Sequence, residues 1–396
     1  MALGTAALVV GAAPGMVVAA AAAGASTPSS PPPVTVVTQG AENHNGDIFI
    51  TPTGGQGSYA NGPEIVDNHG KVEWFHAVPA GQMATDFRTQ RYHGRPVLTW
   101  WQGTGFGGLS SGSDYIYNDR YQQIAVVKAG NGYSADGHEF LITPQSTALI
   151  EAFATKTVNL TSIGGPPDQM VIDGIVQEVN IATGRVIFQW ESVGNVPFSD
   201  SEVPLPASAS TPWDWFHMNA VHLDTDGNLL IGARHTWTTY KLNRSTGAII
   251  WELGGKQSSF TEQAAPGQVL DGANKIFAWQ HDPEAVGHDK YTWFDNESSS
   301  IPLLPYSRAV TVKLDLRSHV ATLLASDAQP EGLSAPAQGN AQTTTNSDLF
   351  VGWGALPYFS EFDRFGHLLF NAEFPTGVNS YRSYRLPWRA DHRSPR

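Results

Sequence analysis

The chain has no cysteine among its 396 residues. That excludes a disulfide, a thiolate nucleophile, a cysteine-ligated iron–sulfur cluster and a lipoprotein anchor. Charge is scarce too: charged residues make up 15% of the chain, and 36 Asp and Glu outnumber 23 Lys and Arg for a net charge of −13. Binding nucleic acid or an anionic membrane surface needs a basic footprint, so neither is expected as the main partner. Long amphipathic helical stretches are missing as well. In their place stand 40 Gly, 26 Pro, 12 Trp and short β-branched runs broken by turn signals, the pattern of an all-β chain.

The first charged residue is Glu42. Ahead of it, residues 2–23 are almost all Ala, Val, Gly and Leu and run into Ala23-Gly24-Ala25 and a Ser/Pro-rich spacer. This resembles the apolar core and small-residue cleavage site of a secretory signal, without its basic n-region. The expected organisation is a signal-like leader and spacer over 1–33, a folded domain over 34–390 and a tail over 391–396. The expected location is secreted or extracytoplasmic. A membrane partner is expected only if the leader stays uncleaved, because the apolar run is nearly long enough to span.

The stretch from Asp214 to Leu253 sets the pattern for the rest. Four short apolar runs, from His217, Asn228, Thr238 and Ala248, are separated by turns such as LDTDGN and NRSTG, which reads as a four-stranded antiparallel meander. The last two runs recur as EIVDNHGKVEWF (64–75), YIYNDRYQQIAVV (115–127), QEVNIATGRVIFQW (177–190), VKLDLRSHVATLL (312–324) and SEFDRFGHLLFNAEF (360–374). Four-stranded units at a spacing of about 60 residues predict a six-bladed β-propeller. The first unit lacks an inner strand, and SYRSYRL (380–386) has no partner of its own. The C-terminal strand is therefore expected to complete and close the first blade. The long connections (103–112, 156–174, 191–213, 254–279, 296–307 and 327–338) all fall at the mouth where inner strands begin, the place to build a site.

Inner strands begin with, or close to, His138 (DGHEF), His217 (WFHMN), His281 (AWQHD) and Gln342 (GNAQT). Asn219 joins them two residues after His217, and Arg234 from the end of the neighbouring strand. Imidazoles, amides and a guanidinium around one axis make a donor-rich pocket suited to a compact oxyanion. His235 is expected to face away from Arg234, behind the contact layer, because neighbours in an extended strand alternate. Trp213 and Trp215 are candidates to stack on an aromatic ligand, whereas most other Trp are expected in blade packing. His69, His319 and His367 fall in turns and are read as ordinary polar groups, as are His222 and His288. Asn159, Asn243 and Asn296 lie in glycosylation sequons. The Gly-rich stretch 103–114 lacks the Lys-Ser/Thr pair and following helix of a phosphate loop.

Together VLTWWQG, DGHEF, WDWFHMNAV, LLIGARH, TGAIIWELGGKQSSF, FAWQHD, YTWFDNE, LFVGWG and SYRSYRLPW resemble the arylsulfotransferase family over about residues 45–388. The resemblance implies a six-bladed propeller that moves a sulfuryl group from a phenolic sulfate ester to a phenolic acceptor without a nucleotide sulfate donor. It implies a transiently sulfated histidine at His281, sulfuryl-binding groups at His138 and Arg234, and proton transfer at His217, with Asn219 beside it. No cofactor and no metal is implied. Asp282 adjoins His281, but alternation along the strand would turn it and Gln280 off the channel. The chain is too short for the additional N-terminal domain that larger members use to dimerise, so it looks like the shorter branch. Two enzyme alternatives are weaker. A quinone-dependent dehydrogenase generally uses carboxylate-bound Ca²⁺ and often a disulfide, and a metal site built from His138, His217 and His281 lacks any paired-ligand motif. A non-catalytic propeller that captures sulfated or phenolic ligands would need the same clamp.

Overall fold

A computed structural model describes residues 28–40, 46–105, 109–297 and 303–390. The apolar run 2–23, residues 106–108 of the Gly-rich stretch and the 391–396 tail lie outside the described residues. After β1 (Thr35–Gln39) come β2 (Asp47–Gly54), β3 (Glu64–Val66) and β4 (Val72–Phe75). Next are β5 (Met83–Tyr92), β6 (Arg95–Thr104), β7 (Ser111–Tyr117) and β8 (Gln123–Val127), then β9 (Ala135–Ile142), β10 (Thr147–Val158), β11 (Gln169–Asn180) and β12 (Val186–Glu191). The central meander is β13 (Met218–Leu223), β14 (Leu229–Ala233), β15 (Thr238–Leu242) and β16 (Ile249–Gly254). There follow β17 (Thr261–Ala264), β18 (His281–Gly287), β19 (Lys290–Asp295), β20 (Arg308–Asp315) and β21 (Val320–Ala328). The chain finishes with β22 (Asn340–Thr343), β23 (Leu349–Gly352), β24 (Tyr358–Phe362), β25 (Leu368–Glu373) and β26 (Val378–Leu386). Helix is confined to three single 3₁₀ turns among the described residues. None is long and apolar enough to cross a membrane.

The protein is all-β with a β-propeller arrangement. Among the described residues its hydrogen-bonded sheets number five, where the repeat predicted six separate ones. The difference arises at one place: Gly112 of β7 pairs with Ala135 of β9, fusing the meanders β5–β8 and β9–β12 into an eight-stranded sheet. Two strands carried no usable signal. β1 adds an outer edge to β22–β25, and β17 runs parallel to β21. β1 alternates only between exposed and half-buried residues, and β17 reads Thr-Glu-Gln-Ala, so neither shows the apolar run that marks a strand. β26 lies antiparallel to β2, from Asp47 opposite Leu386 to Gly54 opposite Val378.

Aromatic side chains fill the wedges between neighbouring sheets. Phe49 and Ile65 pack with Phe87, Trp100 and Tyr384 in one cluster, and Trp215, Phe216, Met218 and Tyr240 meet Val171 and Trp190 in another. Trp100 is fully buried, and truncating such a side chain typically costs about 3–5 kcal/mol. Around the axis the inner strands contribute charge rather than hydrocarbon. Arg382 of β26 reaches Glu139 of β9 at 2.7 Å, Asp282 of β18 at 3.1 Å and the carbonyl of Asn219 in β13 at 3.0 Å. Asp282 also meets His222 at 3.2 Å. It therefore points into the axis, contrary to the expectation from alternation. Its φ of +56° supplies the reason: the backbone leaves the extended region there, so the two-residue period fails.

Candidate functional site

His217 ends the loop that enters β13, and its φ of +50° turns the ring toward the mouth instead of along the strand. Asp214, three residues earlier, carries its carboxylate onto His217 Nδ1. Burial works to raise the Asp214 pKa, but His217, His235 and His138 outweigh it and draw it down to about 2. The carboxylate is thus ionised and fixes a proton on Nδ1, which leaves Nε2 to face the site.

His138 is built on the same plan in β9. Asp136 lies against its Nδ1 and also accepts its backbone N–H at 3.1 Å. Burial raises the Asp136 pKa, yet the charge and hydrogen bond of His138 bring it below the usual carboxylate range. The rings of His138 and His217 stand 5.5 Å apart and nearly perpendicular. Tyr381 of β26 closes the other side of His138 at 5.7 Å between ring centroids.

β14 stops at Ala233, and residues 234–237 form a tight turn in which Trp237 N–H bonds the Arg234 carbonyl at 3.3 Å. Alternation ends with the strand, so Arg234 and His235 face the same way, which corrects the expectation of opposite faces. Arg234 Nη1 donates to His235 Nε2 at 2.9 Å, while Nδ1 of His235 donates to the Asp214 carbonyl. Burial, followed by the charge of His217, depresses the His235 pKa to about 3, so the ring is a neutral acceptor. The His235 ring lies 4.5 Å from that of His217. Arg234 stacks over Trp279 at 4.9 Å and donates to the Pro336 carbonyl at 2.9 Å. Burial lowers its pKa to about 10, still charged at neutral pH.

His281 opens β18 and is almost wholly buried. Its Nδ1 meets Asn296 Oδ1 at 2.7 Å. The Asn296 amide nitrogen is committed to the carbonyls of Ala335 and Gln338, at 3.2 and 3.0 Å, so its oxygen must face the ring. The imidazole then carries its proton on Nδ1, and bare Nε2 accepts the Gln338 backbone N–H at 3.2 Å. Burial first, then the positive field of Arg234, holds the His281 pKa well below the ordinary histidine value. The loop through Pro336 and Gln338 thereby touches both Arg234 and His281, tying the guanidinium and this neutral base to one site. A small throat of about 60 Å³ lined by Thr53, Met83, Thr85, Gln338 and Tyr381 opens beside them.

Four residues expected at the site do not join the cluster. Gln342 spends both ends of its amide on the Arg385 backbone, at 3.1 and 2.8 Å, and so ties β22 to β26. Trp215 is fully buried against Phe198 and Phe216 in the wedge between sheets. Trp213 is likewise buried, with its indole N–H on the Val203 carbonyl at 3.2 Å. Asn219 is buried and directs its amide N–H to the Gln280 carbonyl at 2.8 Å, a strap between β13 and β18. Its carbonyl oxygen lies 2.8 Å from where a Cβ on Gly232 would sit, which explains a glycine in mid-strand.

The sequence reading missed the groups that orient the imidazoles. Asp136 and Asp214 sit two and three residues before their histidines, and this spacing was the available signal. Asn296 reads in the sequence only as a sequon; it is fully buried, which leaves no room for a glycan. Among the described residues, three clusters bring metal-ligating atoms together: Asp214 with His217 and His235, Asp136 with His138 and Glu151, and Glu139 with His222 and Asp282. None unites His138, His217 and His281. In the first two, the His–Asp contacts already occupy Nδ1. Chemically, the assembly offers one neutral imidazole with a bare nitrogen, two carboxylate-oriented imidazoles and a guanidinium. Such fixed donors around a nucleophilic nitrogen suit a transition state that gathers charge on oxygen.

A model of the family described as Arylsulfotransferase (ASST) matches residues 88–375. Comparison with curated proteins gives no match. Among solved structures, a protein of unknown function from Bacteroides caccae is similar at 12% identity and TM-score 0.49, covering 85% of this chain and 98% of its own. A putative 6-phosphogluconolactonase from Bacteroides fragilis is similar at 9% identity and TM-score 0.44, covering 87% and 99%. A virginiamycin B lyase from Staphylococcus aureus is similar at 9% identity and TM-score 0.42, covering 86% and 88%.

Proposed function

Because the chain belongs to the arylsulfotransferase family, we propose that it transfers a sulfuryl group from an aryl sulfate to a phenol through a sulfated His281. The observation that carries this reading is the state of His281: a buried neutral imidazole in the field of Arg234, with Nδ1–H held by Asn296 and an unprotonated Nε2 covered by the Gln338 N–H, which must give way for Nε2 to attack. Nε2 attacks sulfur, the S–N bond forms as the S–O bond to the aryl group breaks, and His217, entering this step as an imidazolium held by Asp214, gives its Nε2 proton to the departing phenolate and is left neutral. In the second half, His217 takes the acceptor's hydroxyl proton, the acceptor oxygen bonds sulfur, and the electron pair returns to Nε2. Arg234 and His138 hold the sulfuryl oxygens, where charge is spread as in phosphoryl transfer. His235 supports Arg234, and Asp214 and Asp136 keep their imidazoles in register. No cofactor enters.

The scaffold proposed for this chemistry is a ring of six blades with β26 as the inner strand of the first. Its support is the meander count within the five sheets and the pairing of β26 with β2. Secretion is proposed from the leader, as read from sequence.

The test is incubation with 4-nitrophenyl sulfate and a phenol. Nitrophenolate release and aryl sulfate formation support the reading, and Arg234→Ala is expected to slow release by about 10²–10³ without unfolding the protein. Tight binding of the ester with no release would instead support a capture protein.

A further inference from the structure

The connections 55–63 and 76–82, which follow β2 and precede β5, border a half-open cavity of about 360 Å³. Its wall includes Gln56, Tyr59, Asn61, Val78, Pro79 and Gln82, and among the described residues no Asp, Glu, Lys, Arg or His lines it. It adjoins the throat through the chain itself: Gly54 and Gln82 on the cavity wall are the sequence neighbours of Thr53 and Met83 in the throat. The throat in turn includes Tyr381, beside His138, and Gln338, whose N–H rests on His281 Nε2. At about 60 Å³ the throat holds little more than a sulfuryl group. The wider cavity exceeds the roughly 150 Å³ that takes up a benzene ring.

We propose that this cavity is the acceptor subsite and that it selects uncharged phenols. The inference rests on the transferase reading for its chemistry but on the cavity's own walls for its selectivity. An acceptor carrying a carboxylate would leave water with no cation to meet it, in a chain of net charge −13. A neutral ring buries apolar surface against Val78, Pro79 and Tyr59, while the Gln56 amide, Asn61 Oδ1 and Gln82 Nε2 meet hydroxyl substituents, Asn61 Nδ2 being held by the Gln82 carbonyl at 3.1 Å and Gln82 Oε1 by Gln102 at 2.7 Å. A bound phenol then presents its hydroxyl through the throat to sulfur on His281. Its oxygen forms the new S–O bond as the S–N bond breaks, and its proton passes to His217.

Binding, rather than turnover, tests the subsite. Catechol, phenol and 4-hydroxybenzoate are titrated by saturation-transfer NMR into the full chain, into His281→Ala and into Ala80→Trp. Ala80 is exposed in the turn at the cavity rim, so an indole there fills the space. Expected are saturable catechol binding that persists in His281→Ala, a loss of tenfold or more in Ala80→Trp, and binding of 4-hydroxybenzoate at least tenfold weaker than phenol. Equal catechol affinity in Ala80→Trp, equal affinity for the carboxylated phenol, or no saturable binding would overturn the proposal. If the wild type releases no nitrophenolate while the binding pattern holds, the transferase reading falls and the neutral-phenol site stands.

Discussion

Asn296 Oδ1 meets His281 Nδ1 at 2.7 Å, reaching across the hairpin of β18 and β19 to decide which nitrogen of the buried ring is bare. An amide can do this without adding charge, so the ring stays neutral. The variant Asn296→Asp should reverse that choice. A carboxylate favours the imidazolium, the His281 pKa rises, and the protonated ring cannot attack. Its rate should therefore fall as pH drops, and at higher pH than in the wild type, whose His281 pKa is held well below the ordinary histidine value. Profiles of kcat/KM against pH for 4-nitrophenyl sulfate should place the acid-side fall of the variant at higher pH than that of the wild type.

Asp214→Asn should retain the fold and lose activity, because an amide holds neither the tautomer nor the charge of His217. A loss on the order of 10²–10⁴ is expected by analogy with carboxylates that orient catalytic imidazoles. The loss should be larger for phenyl sulfate than for 4-nitrophenyl sulfate, since the poorer leaving group depends more on the proton from His217. Equal losses would remove His217 from the acid role.

Arg382→Ala should destabilise the protein by about 3–5 kcal/mol. It strips the cation from Glu139 and Asp282 while leaving both carboxylates buried. A lowered urea midpoint measures the effect.

Much of this was legible because strand–turn–strand units repeat their apolar and turn residues, and because His217, His281 and Arg234 sit at strand ends and His138 in the first half of β9. What failed did so where the backbone leaves the strand. Alternation misplaced His235, since β14 ends two residues before it, and Asp282, whose φ is positive. Residue type misled at Gln342 and Trp215: an amide and an indole at a predicted mouth were spent on a neighbouring backbone and on the core. Asn296 stands 15 residues from His281, too far for a local motif. β1 was lost because hydrogen bonds to β25, which sequence pattern does not show, are what order it.

Glu64 gives a stability prediction independent of catalysis. It is fully buried on β3 with neither carboxylate oxygen partnered, and burial raises its pKa from 4.5 to about 8. The folded state therefore binds more protons than the unfolded state between those values, and stability falls as pH rises through that window. Glu64→Gln removes this titration. Thermal melts at about pH 5 and 8.5 should show a smaller drop for the variant than for the wild type, with a difference of roughly 2–4 kcal/mol. The same drop in both would place the titration elsewhere.

The central claim is that sulfur rests on His281 between donor and acceptor. Mixing the protein with 4-nitrophenyl sulfate in the absence of a phenol, quenching at high pH to preserve a phosphoramidate-like S–N bond, and weighing the chain tests it directly. The account predicts a gain of about 80 Da, located on His281, that disappears when phenol is added before the quench. Stoichiometric nitrophenolate release with no added mass, or the same gain in His281→Ala, would contradict it.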